Sequence, residues 1–136
     1  MKEDQLFFVG QKAFIEKDGK LLVIFNERDK IDFPGGKIQE GEKDLRASLV
    51  REVLEETGLS IIIYDPFVVW SFALPDNHRH AGKLVFLVGY RCSIRGGELK
   101  LSDEHLRYEW VGKVEISKLD DGSGHFRALQ KYFAKI

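Results

Sequence analysis

Three glutamates are spaced to lie together on one side of a predicted helix. When residues 48–57 are placed on a helix at ~100° per residue, Glu52, Glu55 and Glu56 fall within one arc of ~100°. The opposite, core-facing side of this helix is predicted to consist of Ala47, Val50, Val53 and Leu54. Clustered carboxylates repel one another unless a cation lies among them. Because hard oxygen ligands suit Mg²⁺ or Mn²⁺, the cluster predicts a divalent metal site.

The simpler alternative is a solvated helix on which Arg51 and Glu55 form an i,i+4 ion pair. The sequence on both sides favours a site. A Pro34-Gly35-Gly36 turn precedes the helix, and Thr57-Gly58 closes it where a C-terminal glycine is expected. Since proline fixes φ and glycine allows close backbone approach, the carbonyl of Gly36 could point at a metal.

The stretch from Asp32 to Leu59 resembles the signature of the Nudix hydrolases, G-x5-E-x7-R-E-U-x-E-E-x-G-U, in which U is aliphatic. Gly36 and Glu42 match its first half, and residues 51–59 (REVLEETGL) match its second half. The chain departs from the pattern between Glu42 and Arg51, where eight residues stand in place of seven. We expect the extra residue in the loop or first helical turn, near Lys43 and Asp44, and the role of Glu42 stays open.

This resemblance implies an α/β (α+β) fold, a Nudix-like α/β/α sandwich with a mixed β-sheet between helices, in a single domain over residues 1–136. It also implies metal-dependent hydrolysis of a phosphoanhydride bond in a nucleoside diphosphate linked to another moiety X. Carried over to this sequence, Glu52, Glu55 and Glu56 would bind the metal together with the Gly36 carbonyl. Arg51 would hold the helix carboxylates in place.

A later acidic residue, Glu104, is a further candidate. The segment from Glu104 to Trp110 resembles the Nudix loop that often supplies another carboxylate to the metal site. The candidates for the general base are therefore Glu56, Glu52 and Glu104, in that order. The alternative for Glu104 is an ordinary exposed loop acid.

Cations and aromatic side chains outside the signature are candidates for substrate contacts. Arg28 follows a predicted strand, and Arg79 lies with His78 and His80 in a polar loop over residues 74–82. Arg28 could contact phosphate, and the three loop residues could contact phosphate or a nucleobase; the alternative for each is a solvated side chain. The candidate stacking surfaces for a base, each of which could also belong to the core, are Phe33, Trp70, Phe72 and Tyr108.

The predicted substrate is a (deoxy)nucleoside triphosphate, cleaved to a monophosphate and pyrophosphate, because the short chain resembles the compact family members that act on such nucleotides. ADP-ribose or a nucleotide sugar is the alternative. Pro75, sixteen positions after Leu59, resembles the proline of some ADP-ribose-cleaving members. Two other classes stay open: a non-catalytic nucleotide-sensing module, and a protein-interaction domain whose acidic helix meets a basic partner.

The composition indicates a globular protein with no general attraction to nucleic-acid polymers. The 136 residues are 43% hydrophobic and 32% charged, enough for one buried core. A formal net charge of −1 lacks the basic footprint of proteins that bind nucleic-acid polymers. Because no apolar run approaches the ~20 residues that span a bilayer, and no signal-peptide pattern opens the chain, we expect a cytoplasmic location and no membrane partner. The oligomeric state stays open, a homodimer included.

The elements that must position the glutamates are predicted from apolar runs and turns. Two apolar runs, residues 6–15 and 21–25, are joined by an Asp-Gly turn and predict a β-hairpin. A short strand over Ile31, Asp32 and Phe33 would deliver the glycine turn. Residues 60–64 and 67–72 are predicted as two strands, with Pro66 marking a bend or an edge.

The second half of the chain is predicted to supply the remaining scaffold. Strands are expected at residues 83–93 and 108–111. Ser123 can cap a C-terminal helix, whose apolar stripe consists of Phe126, Leu129, Phe133 and Ile136. The single cysteine, Cys92, lies in an apolar run and is predicted to be an inert buried thiol.

Overall fold

The computed structural model describes residues 2–103 and 107–134. In this part of the chain, a seven-stranded sheet lies between two helices. The strands are β1 (Phe7–Lys17), β2 (Lys20–Phe25), β3 (Ile31–Asp32), β4 (Gly35–Lys37), β5 (Leu59–Ala73), β6 (Leu84–Gly97) and β7 (Arg107–Val111). The helices are α1 (Leu45–Thr57) and α2 (Gly124–Phe133), and a 3₁₀ helix, Ile116–Leu119, precedes α2.

The sheet is mixed, as the sequence predicts. Its strand order is β3-β2-β1-β6-β5, with β4 paired to β1 and β7 paired to β2. β1 runs parallel to β6 but antiparallel to β2 and β4. The expected α/β/α arrangement with a mixed sheet is therefore confirmed.

Alternation along β1 divides the core between the two faces of the sheet. Phe14 packs with Phe126 and Leu129 on the α2 side, whereas Ile15 packs with Leu49 on the α1 side. Burying each such side chain contributes about 1.5–3 kcal/mol. Both helices are thereby fixed against a rigid sheet, which is what a precise site requires. Neither of them has the length and apolar character to cross a bilayer in the described part of the chain.

The strands differ from the predictions mainly at Pro66. The β1–β2 hairpin is present, with Lys17 paired to Lys20 across the turn. The two strands predicted around Pro66 are instead the single strand β5, whose register with β6 shifts on both sides of the proline. β5 is the last strand of the sheet. An edge strand tolerates a residue that has no N–H to donate, so Pro66 marks the edge without ending the strand.

Helix α1 begins at Leu45, because the Asp44 side chain caps it by accepting from the N–H of Ala47. The predicted core face is wrong at Ala47 and at Leu54, both of which are exposed. The buried residues of α1 are Ser48, Leu49, Val53, Glu56 and Thr57. The side of α1 that faces the sheet therefore differs from the predicted one, and Glu56 lies on the boundary between the core and the acidic face.

Candidate active site

Arg51 lies at the centre of the acidic cluster on α1. Its guanidinium contacts Glu42 at 2.9 Å, Glu55 at 3.0 Å and Glu52 at 3.2 Å. The hydrogen bond with Glu42, followed by that with Glu55, raises the pKa of Arg51 further above its usual range. A planar fork with several donors can hold several carboxylates at once. Arg51 therefore offsets the repulsion within the cluster and fixes the direction of its side chains.

Glu42 reaches this cluster in spite of the extra residue between it and Arg51. Its carboxylate accepts from the Ser48 hydroxyl at 2.6 Å and from the backbone N–H of Gln39 at 2.6 Å, as well as from Arg51. These bonds, the one from Ser48 first, lower the pKa of Glu42 to about 2. The role of Glu42 is therefore to join the loop before α1 to the acidic face of the helix.

Gly36 lies directly against Glu52. A β-carbon built on Gly36 would be 2.9 Å from Oε2 and 3.0 Å from Cδ of that glutamate. Gly36 belongs to β4 and pairs with Gln11 of β1, so the backbone cannot withdraw without breaking the sheet. Only a residue without a side chain lets the carboxylate occupy this place.

The three glutamates predicted to bind metal line one open pocket of about 310 Å³, together with Ser102 and Asp103. Glu56 is 9% exposed, whereas the side chain of Glu55 is 59% exposed. The loop that carries Ser102 is tied to the end of α1, because the N–H of Ser102 donates to the carbonyl of Glu56 at 2.8 Å. One wall of the pocket is therefore formed by α1 and the other by this loop, and the hydrogen bond fixes the position of the loop relative to the helix.

The donors in this pocket fit a hydrated cation better than a closed metal cage. Across residues 2–103 and 107–134, no three acidic, histidine or cysteine side chains are placed so that together they could hold a metal ion. However, Mg²⁺ keeps several of its waters and needs few protein ligands. The buried hydroxyl of Ser102 also has no hydrogen-bond partner among the described residues. An open pocket of carboxylates, with a hydroxyl that has no partner within residues 2–103 and 107–134, suits such an ion.

A larger cleft of about 550 Å³ lies on the α2 side of the sheet. Its walls include the apolar side chains of Phe72, Leu74, Val85 and Leu87. Lys12, Lys30 and Lys37 also line it. Gly36 lines the same cleft, and a β-carbon built on it would point at Glu52. Gly36 therefore lies between the cleft and the first of the three carboxylates.

The profile of the NUDIX domain matches residues 10–132. The chain belongs to the Nudix family. It is 31% identical to an ADP-ribose pyrophosphatase of Methanocaldococcus jannaschii over 115 residues, 82% of this chain and 65% of that protein. Over 50 residues, 37% of this chain and 38% of the relative, it is 40% identical to the 8-oxo-dGTP diphosphatase of Escherichia coli K12.

A solved Nudix-fold neighbour covers almost the whole chain. The crystal structure of a MutT protein from Methanosarcina mazei Go1 is 26% identical, with a TM-score of 0.78, and the match covers 97% of this chain and 96% of that one. By contrast, the chain spans only 38% to 65% of the length of the two curated relatives. The family is thus established over most of the chain, and the relatives' substrates differ.

The residues predicted to contact substrate lie in different places in this Nudix chain. Arg28 lines a separate pocket of about 290 Å³ with Pro75 and His78, beside the cleft. Arg79 is exposed on the 74–82 loop. Desolvation, then the charge of Lys37, lowers the pKa of His78. Glu104, the predicted later carboxylate, lies outside the described residues.

The aromatic candidates also separate. Phe72 lines the cleft, and Tyr108 is 43% exposed on β7. Trp70 is partly buried against the core on the α2 side. Phe33 is fully buried, with its ring stacked on Phe14 at 4.1 Å, so it cannot stack on a base. Phe33 packs into the core because it follows β3 on the face covered by α2.

Several residues that the fold brings to the site were not predicted from the sequence. Ser102 and Asp103 complete the acidic pocket of the Nudix helix, and Lys12, Asp32 and His125 lie in the cleft. The one available signal was the position of Asp32, directly before the glycine turn. The others lie on elements whose proximity depends on sheet pairing and helix docking.

Proposed function

We propose that this Nudix chain is a metal-dependent pyrophosphohydrolase that cleaves a nucleoside diphosphate linked to a moiety X. The observation that carries the proposal is the pocket of about 310 Å³ that Glu52, Glu55 and Glu56 line, next to Gly36, which itself lines a cleft of about 550 Å³. The complete acidic set argues against a silent sensing module, which has no need of it.

The cofactor of this proposal is Mg²⁺, with Mn²⁺ as the substitute. Glu52, Glu55 and Glu56 would hold it, with the Gly36 carbonyl as a further ligand. When bound, it supplies charge neutralisation on the phosphates and a more acidic water. Arg51 keeps the carboxylates directed at the pocket through its contacts with Glu52 and Glu55.

Apart from holding the metal ion, the side chains of the protein would position the substrate and accept a proton. A water oxygen forms a bond to one phosphorus, and the bridging oxygen leaves with the other phosphorus. Glu56, the most buried of the three glutamates, is the first candidate to take the proton of the attacking water, followed by Glu52 and Glu104. The products are a nucleoside monophosphate and a phosphorylated X.

The proposed substrate is a (deoxy)nucleoside triphosphate, which gives a monophosphate and pyrophosphate. One cleft of about 550 Å³ suits a single nucleoside. ADP-ribose or a nucleotide sugar is the second candidate. It is favoured by the adjoining pocket that Arg28 and Pro75 line, where a distal sugar could lie.

A phosphate-release screen tests the proposal. Nucleoside triphosphates, nucleotide sugars, dinucleoside polyphosphates and ADP-ribose are each incubated with Mg²⁺ or Mn²⁺. Inorganic pyrophosphatase reveals the products of the triphosphates, and a phosphatase reveals those of the substrates that have no terminal phosphate. We expect hydrolysis of at least one class, and none after Glu56→Gln in a protein that still folds. Inactivity across the whole panel, with nucleotide binding retained, would favour the sensing module. Partner binding that needs no metal and weakens with salt would favour the protein-interaction domain.

The remaining parts of the proposal concern partners, location and organisation. Small molecules are the proposed ligands, and nucleic-acid polymers are not, because the formal net charge is −1. The cytoplasmic location rests on composition alone, and cell fractionation tests it. The single domain over residues 1–136 stays a prediction that limited proteolysis can check. Light scattering would distinguish a monomer from a homodimer.

A further inference from the structure

A polar group lies in the cleft on the face of the sheet opposite the glutamates. The ammonium of Lys12 is 3.0 Å from Oδ1 of Asp32, and Nε2 of His125 is 3.3 Å from the same oxygen. The backbone N–H of Phe33 also donates to Oδ1, at 2.8 Å. The side chains of Lys12, Asp32 and His125 are only 13%, 20% and 18% exposed. Three donors therefore converge on one carboxylate oxygen.

The tautomer of His125 follows from its second partner. The indole N–H of Trp70, which can only donate, points at Nδ1 of His125 at 3.4 Å. Nδ1 is therefore the acceptor, and the proton on Nε2 is the one directed at Asp32. The ring of Phe33 lies parallel to the imidazole, with centroids 6.0 Å apart. His125 is held on both sides and in turn holds Asp32.

The fold places His125 in the cleft by a close approach at the start of α2. A β-carbon on Gly124 would be 2.8 Å from Cδ1 of Trp70, so a larger residue would push the helix end away from β5. Ser123 caps the helix by accepting from the N–H of Phe126 at 3.1 Å. The position of His125 is thus built into the packing.

Stability alone gives little reason for this group. A buried ion pair is on average no more stabilising than apolar residues of the same volume, because both charges lose their hydration. Part of the cleft is lined by the apolar side chains of Phe72, Leu74, Val85 and Leu87, and apolar residues in place of Lys12 and Asp32 would have extended that lining. A lysine can only donate, and the carboxylate is engaged as an acceptor. The ammonium of Lys12 and the carboxylate of Asp32, side by side, therefore complement a ligand edge that carries a hydrogen-bond acceptor next to a donor.

We propose that Lys12 and Asp32 read the hydrogen-bonding edge of the substrate's base, and that His125 is a positioning residue for Asp32. The inference rests on the proposed function, in which the phosphates lie beside Gly36 and Glu52. The attached nucleoside then extends past the apolar side chains of Phe72, Leu74, Val85 and Leu87 towards Lys12 and Asp32. The ligand class is a nucleotide whose base presents a donor beside an acceptor.

Binding of reaction products tests the inference without requiring turnover. Isothermal titration calorimetry compares AMP, GMP, CMP and UMP with ribose 5-phosphate, which has the sugar and phosphate but no base. The variants are Lys12→Met, which keeps the length of the side chain, and Asp32→Asn, which adds a donor. Lys131→Met is the matched control, because Lys131 is exposed on the last turn of α2.

We expect Lys12→Met and Asp32→Asn to weaken the best-bound monophosphate by roughly tenfold or more, the usual effect of losing a hydrogen bond to a charged group. Asp32→Asn should also change the order of affinity among the four bases. Binding of ribose 5-phosphate should not change in either variant. Lys131→Met should bind every ligand as the wild type does.

His125→Gln tests the positioning role and guards against a folding defect. We expect weaker binding of the monophosphates with no effect on ribose 5-phosphate, and a thermal melt that remains cooperative. If Lys12→Met and Asp32→Asn weaken ribose 5-phosphate as much as the monophosphates, or leave both unchanged, the pair is structural and the inference is wrong. If the wild type neither binds a monophosphate nor hydrolyses any substrate in the screen, the proposed function itself fails.

Discussion

Replacing Gly36 with alanine is the most specific perturbation of the acidic pocket. The new methyl group would lie 2.9 Å from Oε2 of Glu52, whereas ordinary contacts begin at 3.4 Å. The carboxylate must therefore move by about 0.5 Å or more, because β4 is held in register by β1. Glu52 is a flexible side chain whose end can swing away, so the fold should survive.

The two effects of this change differ in size. Pushing Glu52 towards another rotamer costs about 0.5–1.5 kcal/mol, so the free energy of unfolding should fall by about 1 kcal/mol. Catalysis should suffer more, because a misplacement of about 1 Å in an active site can cost about 100-fold in rate. We expect a reduction in kcat of between about 10-fold and 100-fold.

The assay combines hydrolysis with denaturant unfolding. Initial rates are measured at saturating Mg²⁺ with the best substrate of the screen, and urea melts give the stability of each protein. Gly96→Ala is the matched control, since a β-carbon there meets nothing within 4 Å. It should keep wild-type kcat and near wild-type stability.

Two results would refute this reasoning. Wild-type kcat in Gly36→Ala would mean that the position of Glu52 does not matter for the reaction. A loss of stability of several kcal/mol would mean that the methyl group disrupts β4 and not only the carboxylate. In that case the loss of activity would carry no information about Glu52.

Three further variants or conditions test other parts of the site. Arg51→Lys keeps the positive charge but loses the guanidinium that holds Glu42, Glu52 and Glu55. The affinity for Mn²⁺, measured by electron paramagnetic resonance, should therefore fall about 10-fold to 100-fold. Unchanged affinity would count against an orienting role for Arg51. Glu42 has a pKa of about 2 instead of 4.5, so the stability that its carboxylate contributes is complete above about pH 4.5 and is lost as the pH falls towards 2. In urea melts, Glu42→Gln should lose less free energy of unfolding on acidification than the wild type does. Equal losses would contradict this. Burial raises the pKa of Cys92 to about 12. An aromatic disulfide reagent at pH 8 should therefore label this thiol only after the protein unfolds. Rapid labelling of the folded protein would show that the thiol is accessible.

The sequence predicted the acidic face of α1 and the glycine turn because both depend on local spacing. Glu52, Glu55 and Glu56 line one pocket as a helical period requires, and Gly36 lies against that pocket. The buried side of the same helix was predicted less well. Leu54 is exposed while Thr57 is buried, because the docking of α1 on the sheet, which spacing does not reveal, decides which apolar residues are covered.

The cleft could not be predicted from local pattern. Lys12, Asp32 and His125 come from β1, β3 and α2, and only the pairing of strands and the docking of α2 bring them within hydrogen-bonding distance. Phe33 is the opposite case, a residue that was predicted to contact substrate and lies in the core. Its aromatic ring suited a stacking role, but the sheet turns it into the core.

The central claim is that the glutamates of α1 catalyse cleavage of a phosphoanhydride in a nucleotide. Phosphorus NMR of the reaction with the best substrate tests it most directly, because the spectrum identifies the products as they form. We predict that the wild type with Mg²⁺ gives a nucleoside monophosphate and a phosphorylated X, and that Glu56→Gln, correctly folded, gives neither. Equal product formation by Glu56→Gln, or release of inorganic phosphate with no monophosphate, would contradict the claim.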